Sequence, residues 1–264
     1  MIYKRIIPSL LLSNGGLVKT TKFKNPKYVG DPINVIRIFN EKEVDELLVL
    51  DIDASRQKRP PNYSLIQEFA SECFMPLAYG GGISSCEQAT KLFQIGVEKI
   101  VIQTAIFKNP NLLKELVYEF GSQSIVVSVD IITNFWGNTV LYSHEKKKKL
   151  AMPWLQFAKE SVEAGVGEIL LNSVDKDGTM QGMDLTSIET ACSNLEVPIV
   201  SVGGVGSFSD IKHAFMVGAS AVSAGSLFVF NGPHKAVLIT YPSPEDVNEI
   251  LNYYFFPQIK FSNF

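Results

Sequence analysis

Short runs of β-branched and aliphatic residues alternate along the whole chain with stretches whose apolar positions recur at helical spacing. This is the pattern of parallel strands covered by amphipathic helices. Eight strands are expected, near residues 5–10, 46–51, 76–79, 99–102, 124–129, 168–171, 198–202 and 219–224. Helix starts fall where capping chemistry puts them: Asp31-Pro32 opens one, Asn109-Pro110 another and Ser207 a third, each offering a side-chain oxygen or a proline for the first turn. A last helix is expected over 245–254, followed by an aromatic segment from Tyr253 to Phe264 that is too apolar to stand fully in solvent.

The second half of the chain repeats the first at an offset of 122 residues. DELLVLDID (45–53) matches GEILLNSVD (167–175) with Glu46 on Glu168, and the same offset sets Gly81-Gly82 on Gly203-Gly204, Gly96 on Gly218 and Thr104 on Ser226. Four strand–helix units in each half favour closure into a (β/α)8 TIM barrel with a twofold half-barrel repeat over an open doubly wound sheet. The chain then reads as one domain, with half-barrels of about 1–122 and 123–241 and a C-terminal helix and tail at 242–264.

Composition agrees with that size. The 264 residues, 46% hydrophobic and 19% charged, fill one barrel and leave little for a second domain. A net charge of −3 provides no global attraction to nucleic acid or to an anionic membrane, so a small molecule or a protein is the expected partner. No apolar run reaches the roughly 18 residues of a membrane span. The N-terminal apolar stretch is interrupted by Pro8 and reads as a strand rather than a signal sequence, and the expected location is cytoplasmic. Cys73, Cys86 and Cys192 are too scattered for a disulfide framework or a zinc site; neither metal nor cofactor is expected.

In such a barrel the loops that follow the strands build the site, and glycines there let backbone N–H groups approach a phosphate. Gly80, Gly81 and Gly82 follow the third strand, Gln103-Thr104 the fourth, Gly203-Gly204 the seventh and Gly225-Ser226 the eighth. These make two symmetry-related cradles, as a ligand phosphorylated at both ends requires. Asp51 and Asp53, and their symmetry mates Asp175 and Asp177, end two strands; Asp51 and Asp177 are candidates for ligand hydroxyls, with capping of the following loops the competing role. His144, His213 and His234 are too dispersed for a triad or a metal site and read as structural or incidental. The run Lys146 to Lys149 is expected to project over the catalytic face, either simply solvated or steering an anion or a partner.

Through KRIIPSL (4–10), Val18-Lys19, Gly30-Asp31-Pro32, DELLVLDIDAS (45–55), YGGGI (79–83), FGSQSIVVSVD (120–130), GVGEILLNSVDKDGT (165–179) and the glycine pair at 203–204, the chain resembles the cyclase subunit of imidazole glycerol phosphate synthase, the HisF-type barrel of histidine biosynthesis. The resemblance implies a class I glutaminase docked on the N-terminal face, a phosphorylated ligand bound at the other face with Lys19 among its contacts, and ammonia crossing the barrel between them. It also implies that Arg5, Glu46, Lys99 and Glu168 form a charged ring gating the entrance; without the resemblance the four read equally well as an ordinary ion network. Two aspartates act as the acid/base pair of such cyclases. Asp130 keeps one, but the other position falls on Leu11, which can neither donate nor accept a proton. Gln103 stands where the family usually has asparagine and Asn172 where it usually has threonine, which points to an altered ligand.

An intact ring with a broken acid/base pair is similar to the second HisF-type copies of bacterial surface-polysaccharide loci. RIIPSLLLSNGGLVKT, KYVGDPINVIRIFNEKEVDELLVLDIDASR and AGSLFVFNGPHKAVLITYP carry that likeness. It implies ammonia supply to a separate sugar amidotransferase that makes acetamidino groups. The alternatives are an active cyclase of histidine synthesis and the sister sugar-phosphate isomerase, which also needs two aspartates.

Overall fold

The computed structural model describes residues 4–255. Its eight parallel strands are β1 (Arg5–Ser13), β2 (Leu47–Asp51), β3 (Leu77–Gly80), β4 (Lys99–Ile102), β5 (Ile125–Thr133), β6 (Glu168–Ser173), β7 (Ile199–Val202) and β8 (Ala221–Ala224). Each pairs with the next, and β8 returns to β1 with Arg5 opposite Ala221 and Pro8 opposite Ala224, so the sheet closes and no barrel strand is left with a free edge. The expected (β/α)8 barrel is the observed one. Its apolar side chains divide into two sets. One faces outward under the helices; the other is a layer inside the barrel made by Ile7, Leu48, Ala78, Val101, Val126, Leu170, Val200 and Ala221.

The 122-residue offset is present in three dimensions. Strand starts at 77 and 199 and at 99 and 221, and helix starts at 86 and 208 and at 104 and 226, are all related by it. Capping also follows the expected chemistry at two of three starts. Asp31 accepts from Asn34 N at 3.0 Å with Pro32 in the first turn, and Ser207 forms a reciprocal box with Asp210. At the third, the helix Asn111–Phe120 begins after Pro110 and no side chain caps it, so Asn109 does not fill the role expected of it. The C-terminal helix, Pro244–Phe255, packs on the helix Phe208–Met216 with an ion pair from Lys212 to Glu249 at 2.6 Å. The rest of the aromatic tail lies outside the described residues.

Two strands run past their expected ends, and both for the same reason. β1 and β5 continue beyond the barrel rim and fold back as antiparallel hairpins, β1 with Gly16–Thr21 and Lys24–Gly30, β5 with Thr139–Ser143 and Lys148–Lys149. The first hairpin turns at Asn14 (φ 50°) and Gly15 (φ 80°), a left-handed pair that asparagine and glycine adopt most readily. Both hairpins stand over the C-terminal mouth.

Candidate active site

The strands deliver their C-terminal ends to a cavity of about 1250 Å³, counted with its open mouth, which every one of the eight strands or its following loop helps to line. The two glycine cradles face each other across it. Gly81 and Gly203 hold φ of 130° and 102°, and a Cβ at either would come within 2.6 Å of Asp51 O or 2.7 Å of Ser173 O, so the backbone is free to face the ligand only because these residues are glycines. Gly82, Gly204, Gly225, Thr104 and Ser226 complete the two rims. The short helices Thr104–Lys108 and Ser226–Val229 begin here, and no side chain caps either.

Lys19 reaches this rim from the first hairpin. It is buried, donates to Ser9 O and forms no ion pair among the described residues. Its ammonium occupies the space beside Gly225 that a Cβ would fill. Burial lowers its pKa to about 8 against an upward pull from Asp177. An anion bound at the β8 cradle would supply the counter-charge this lysine lacks.

Asp130 lies at the end of β5, buried and lining the cavity, with Ser128 Oγ 3.0 Å from its Oδ1. Burial raises its pKa, and His144 is the largest influence in the opposite direction, followed by hydrogen bonds from Ser128, Gln103 and Asn172. Gln103 also donates to Ser128 O at 3.3 Å. Leu11, on β1 opposite Val18 of the first hairpin and Leu50 of β2, lines the same cavity with an alkyl face. Asn172 Oδ1 and Ser223 Oγ are buried at the cavity wall without a hydrogen-bond partner among the described residues. Two orphaned acceptors beside an uncompensated lysine describe a site built around a polar ligand.

Asp51 and Asp177 border the cavity, but their carboxylates hold loops. Asp51 accepts from Asp53 N, Ala54 N and Arg59 at 2.9–3.1 Å, and Asp177 accepts from Thr20 Oγ1 at 2.7 Å and Phe23 N at 3.0 Å, which ties the first hairpin down over the mouth. The capping role weighed for them is the one the geometry displays. Asp53 accepts from Ser13 Oγ and Asp175 from Thr133 N, again within the loops.

His144 is the residue that sequence reasoning passed over. The second hairpin carries it into the cavity, where Nε2 lies 2.9 Å from Ile52 O and the ring meets Phe23 edge-on at 5.3 Å. Its electrostatic neighbours are Asp130 and Asp177. The available signal was its position, the first residue beyond a strand that folds back over the mouth. His213 lies on the outer helix Phe208–Met216 and His234 on an exposed loop, as expected. Lys146 to Lys149 sit on the same second hairpin, all exposed. At its tip Phe135 and Trp136, 92% and 81% exposed, pack edge-to-face against each other.

At the opposite end of the barrel, Arg5, Glu46, Lys99 and Glu168 meet in one ring. Arg5 pairs with both glutamates, and Lys99 reaches Glu46 at 2.8 Å and Glu168 at 3.3 Å. Every charge has two partners of the other sign. The cavity's lining does not include the ring; between the two lies the aliphatic layer of Ile7, Leu48 and their neighbours.

Among the described residues no helix is long and apolar enough to cross a membrane and no cluster of His, Cys, Asp and Glu could hold a metal ion. A family model described as "Histidine biosynthesis protein" matches residues 5–234. The chain is 53% identical over 251 residues to a Pseudomonas aeruginosa protein provisionally named imidazole glycerol phosphate synthase subunit hisF2, covering 95% of this chain and 99% of that one. It is 48% identical over 248 residues to a Leptospira interrogans protein with the corresponding provisional HisF name, covering 93% and 98%. To the imidazole glycerol phosphate synthase subunit HisF of Pyrococcus furiosus it is 37% identical over 230 residues, 86% and 90% of the two chains.

Proposed function

The chain belongs to the histidine biosynthesis protein family as a HisF-type imidazole glycerol phosphate synthase subunit, and from that premise we propose that it works as the ammonia-delivering partner of a class I, HisH-type glutaminase, with ring-closing activity that is weak or lost. The observation that carries the reading is Leu11. At the mouth where cyclisation calls for two acids, β1 presents an alkyl side chain, while the charged ring at the other end keeps all four members. A positioned acid or base contributes about 10²–10⁴-fold, so one missing member leaves the chemistry slow even with Asp130 in place.

In this reading the glutaminase docks below the ring, ammonia passes when the ring's ion pairs part, and a phosphorylated ligand held by Lys19 and the two cradles reports occupancy of the mouth. The ammonia is used by a separate enzyme, a sugar amidotransferase that forms acetamidino groups for a surface polysaccharide. The exposed Phe135 and Trp136 beside the lysine run support a protein contact on that face, since aromatic side chains dominate interface energetics. The likeness to the provisionally named hisF2 protein, higher than that to the Pyrococcus furiosus HisF, supports the separation from ordinary histidine synthesis.

The test pairs two readouts. With its cognate glutaminase the chain is expected to release ammonia from glutamine; with ammonium as nitrogen source it is expected to form imidazole glycerol phosphate slowly, and Leu11→Asp to raise that rate about 10²-fold. Wild-type turnover equal to that of a two-aspartate relative assayed alongside would instead establish the second reading, an active cyclase of L-histidine biosynthesis. Asp130 and the intact phosphate cradles are what favour it.

A further inference from the structure

With position 11 apolar, the cavity holds one acid on β5 and one imidazole brought in by the second hairpin. Ile52 O can only accept, so the proton of neutral His144 sits on Nε2 and donates to that carbonyl. Nδ1 is then left with a free lone pair, and no hydrogen bond engages it among the described residues. The ring cannot swing freely, because the Ile52 carbonyl holds one edge and Phe23 stacks edge-on against it. The charged groups around it come from several elements: Asp130 from β5, Asp177 from the loop after β6, with Lys19 behind Asp177 from the first hairpin. Tyr142 lies two residues away on its own hairpin and also senses Asp130. Asp51 and Asp53 flank Ile52 on the β2 loop, their carboxylates occupied there.

We propose that His144 is the second proton-transfer group of this cavity, working with Asp130 on a phosphorylated ligand held between the two cradles. The exchange is balanced: the Asp130 carboxylate accepts a proton from the ligand, the electron pair so released forms a double bond to the neighbouring carbon as that carbon's C–O bond breaks, and the His144 imidazolium protonates the departing hydroxyl, which leaves as water. A proton taken from solvent at Nδ1 and one lost to solvent from Asp130 reset the pair. Burial pushes Asp130 toward its protonated form, and a charged imidazole at His144 is the largest influence opposing it, so the two groups lie close enough to act on each other. The proposal deepens the reading above, on which it rests for the ligand class, and it assigns whatever slow ring chemistry the chain performs to Asp130 and His144.

The experiment measures imidazole glycerol phosphate formation by the purified chain with ammonium as nitrogen source, across pH 5–9, for wild type, His144→Gln, His144→Ala and Asp130→Asn. Glutamine at 144 keeps an N–H for Ile52 O but cannot titrate, which separates proton transfer from simple support of the hairpin. The expected result is a bell-shaped wild-type profile; His144→Gln lowers kcat about 10²-fold with little change in KM and removes one limb, while Asp130→Asn removes the other. Equal rates and profiles for wild type and His144→Gln overturn the assignment, as does wild-type turnover no greater than that of Asp130→Asn. A loss in His144→Ala that His144→Gln fully restores makes the residue a support of the hairpin and equally overturns it. Glutaminase takes no part in this assay, so its failure leaves ammonia delivery standing; absence of glutamine-derived ammonia with the partner present would sink delivery alone.

Discussion

The two ends of this barrel are built from the same kinds of residue and satisfy them in opposite ways. At the N-terminal end two cations and two carboxylates, the latter only 6% and 8% exposed, pair in a closed ring in which each charge meets two of opposite sign. At the C-terminal end, among the described residues, a buried lysine lacks an ion-pair partner, burial pushes a buried aspartate toward its protonated form, and oxygens such as Asn172 Oδ1 and Ser223 Oγ have no hydrogen-bond partner. A self-compensated group contributes to the fold by itself, whereas an uncompensated one costs stability until something binds. The contrast marks the C-terminal mouth as the end whose polar groups are left for a ligand to complete.

The sharpest way to break the comparison is to remove one member of the ring. Glu168→Ala leaves Arg5 and Lys99 with half their compensation in a largely buried setting and is expected to destabilise the chain by about 3–5 kcal/mol, read from the shift in urea midpoint. A loss below about 1 kcal/mol would place the ring among ordinary surface ion pairs.

The converse change at the mouth is expected to stabilise. The pKa of Lys19 is lowered to about 8 from 10.5, so the folded chain disfavours the ammonium form. The unfolded chain therefore binds more protons between those values, and stability rises as pH climbs from about 8 to 10.5. Below pH 8 the whole cost is present. Lys19→Met should then gain on the order of 3 kcal/mol at neutral pH, with the difference from wild type disappearing above pH 10.5. The same variant should lose the protection that a phosphorylated sugar gives wild type in thermal melts. A Lys19→Met chain less stable than wild type at pH 7 in the absence of ligand would show that the mouth, like the ring, is already compensated.

A second effect of the same sign is expected at Asp130. Its pKa is raised from 3.8, first by burial, so the folded chain holds the proton more tightly than the unfolded one. Stability accordingly falls as pH rises from about 3.8 through the raised folded value and remains lower above it. Asp130→Asn removes that cost and should raise the melting temperature at neutral pH while leaving it nearly unchanged at pH 3. Unchanged melting at both pH values would mean that Ser128, Gln103, Asn172 and His144 already offset the burial.

The sequence by itself determined the barrel, its twofold offset and the cast of both ends, because those depend on local rules: apolar runs bury under helices, glycines permit left-handed turns, and a repeat of 122 residues places equivalent groups on equivalent strands. The glycine cradles were legible in this way, whereas Arg5, Glu46, Lys99, Glu168, Lys19 and Asp130, and the missing acid at Leu11, were picked out only by the resemblance to the HisF-type barrel. What only the tertiary structure decided is which polar groups meet. Asp51 and Asp177 turned their carboxylates to neighbouring loops, and His144 entered the cavity because β1 and β5 run on past the rim and fold back over it. Such contacts join residues far apart in the chain, as His144 joins Ile52 at 2.9 Å, and no periodicity records them. The Asn14-Gly15 turn makes the first hairpin, which the eight-strand reading did not include, and where that hairpin lands depends on the closed barrel beneath it.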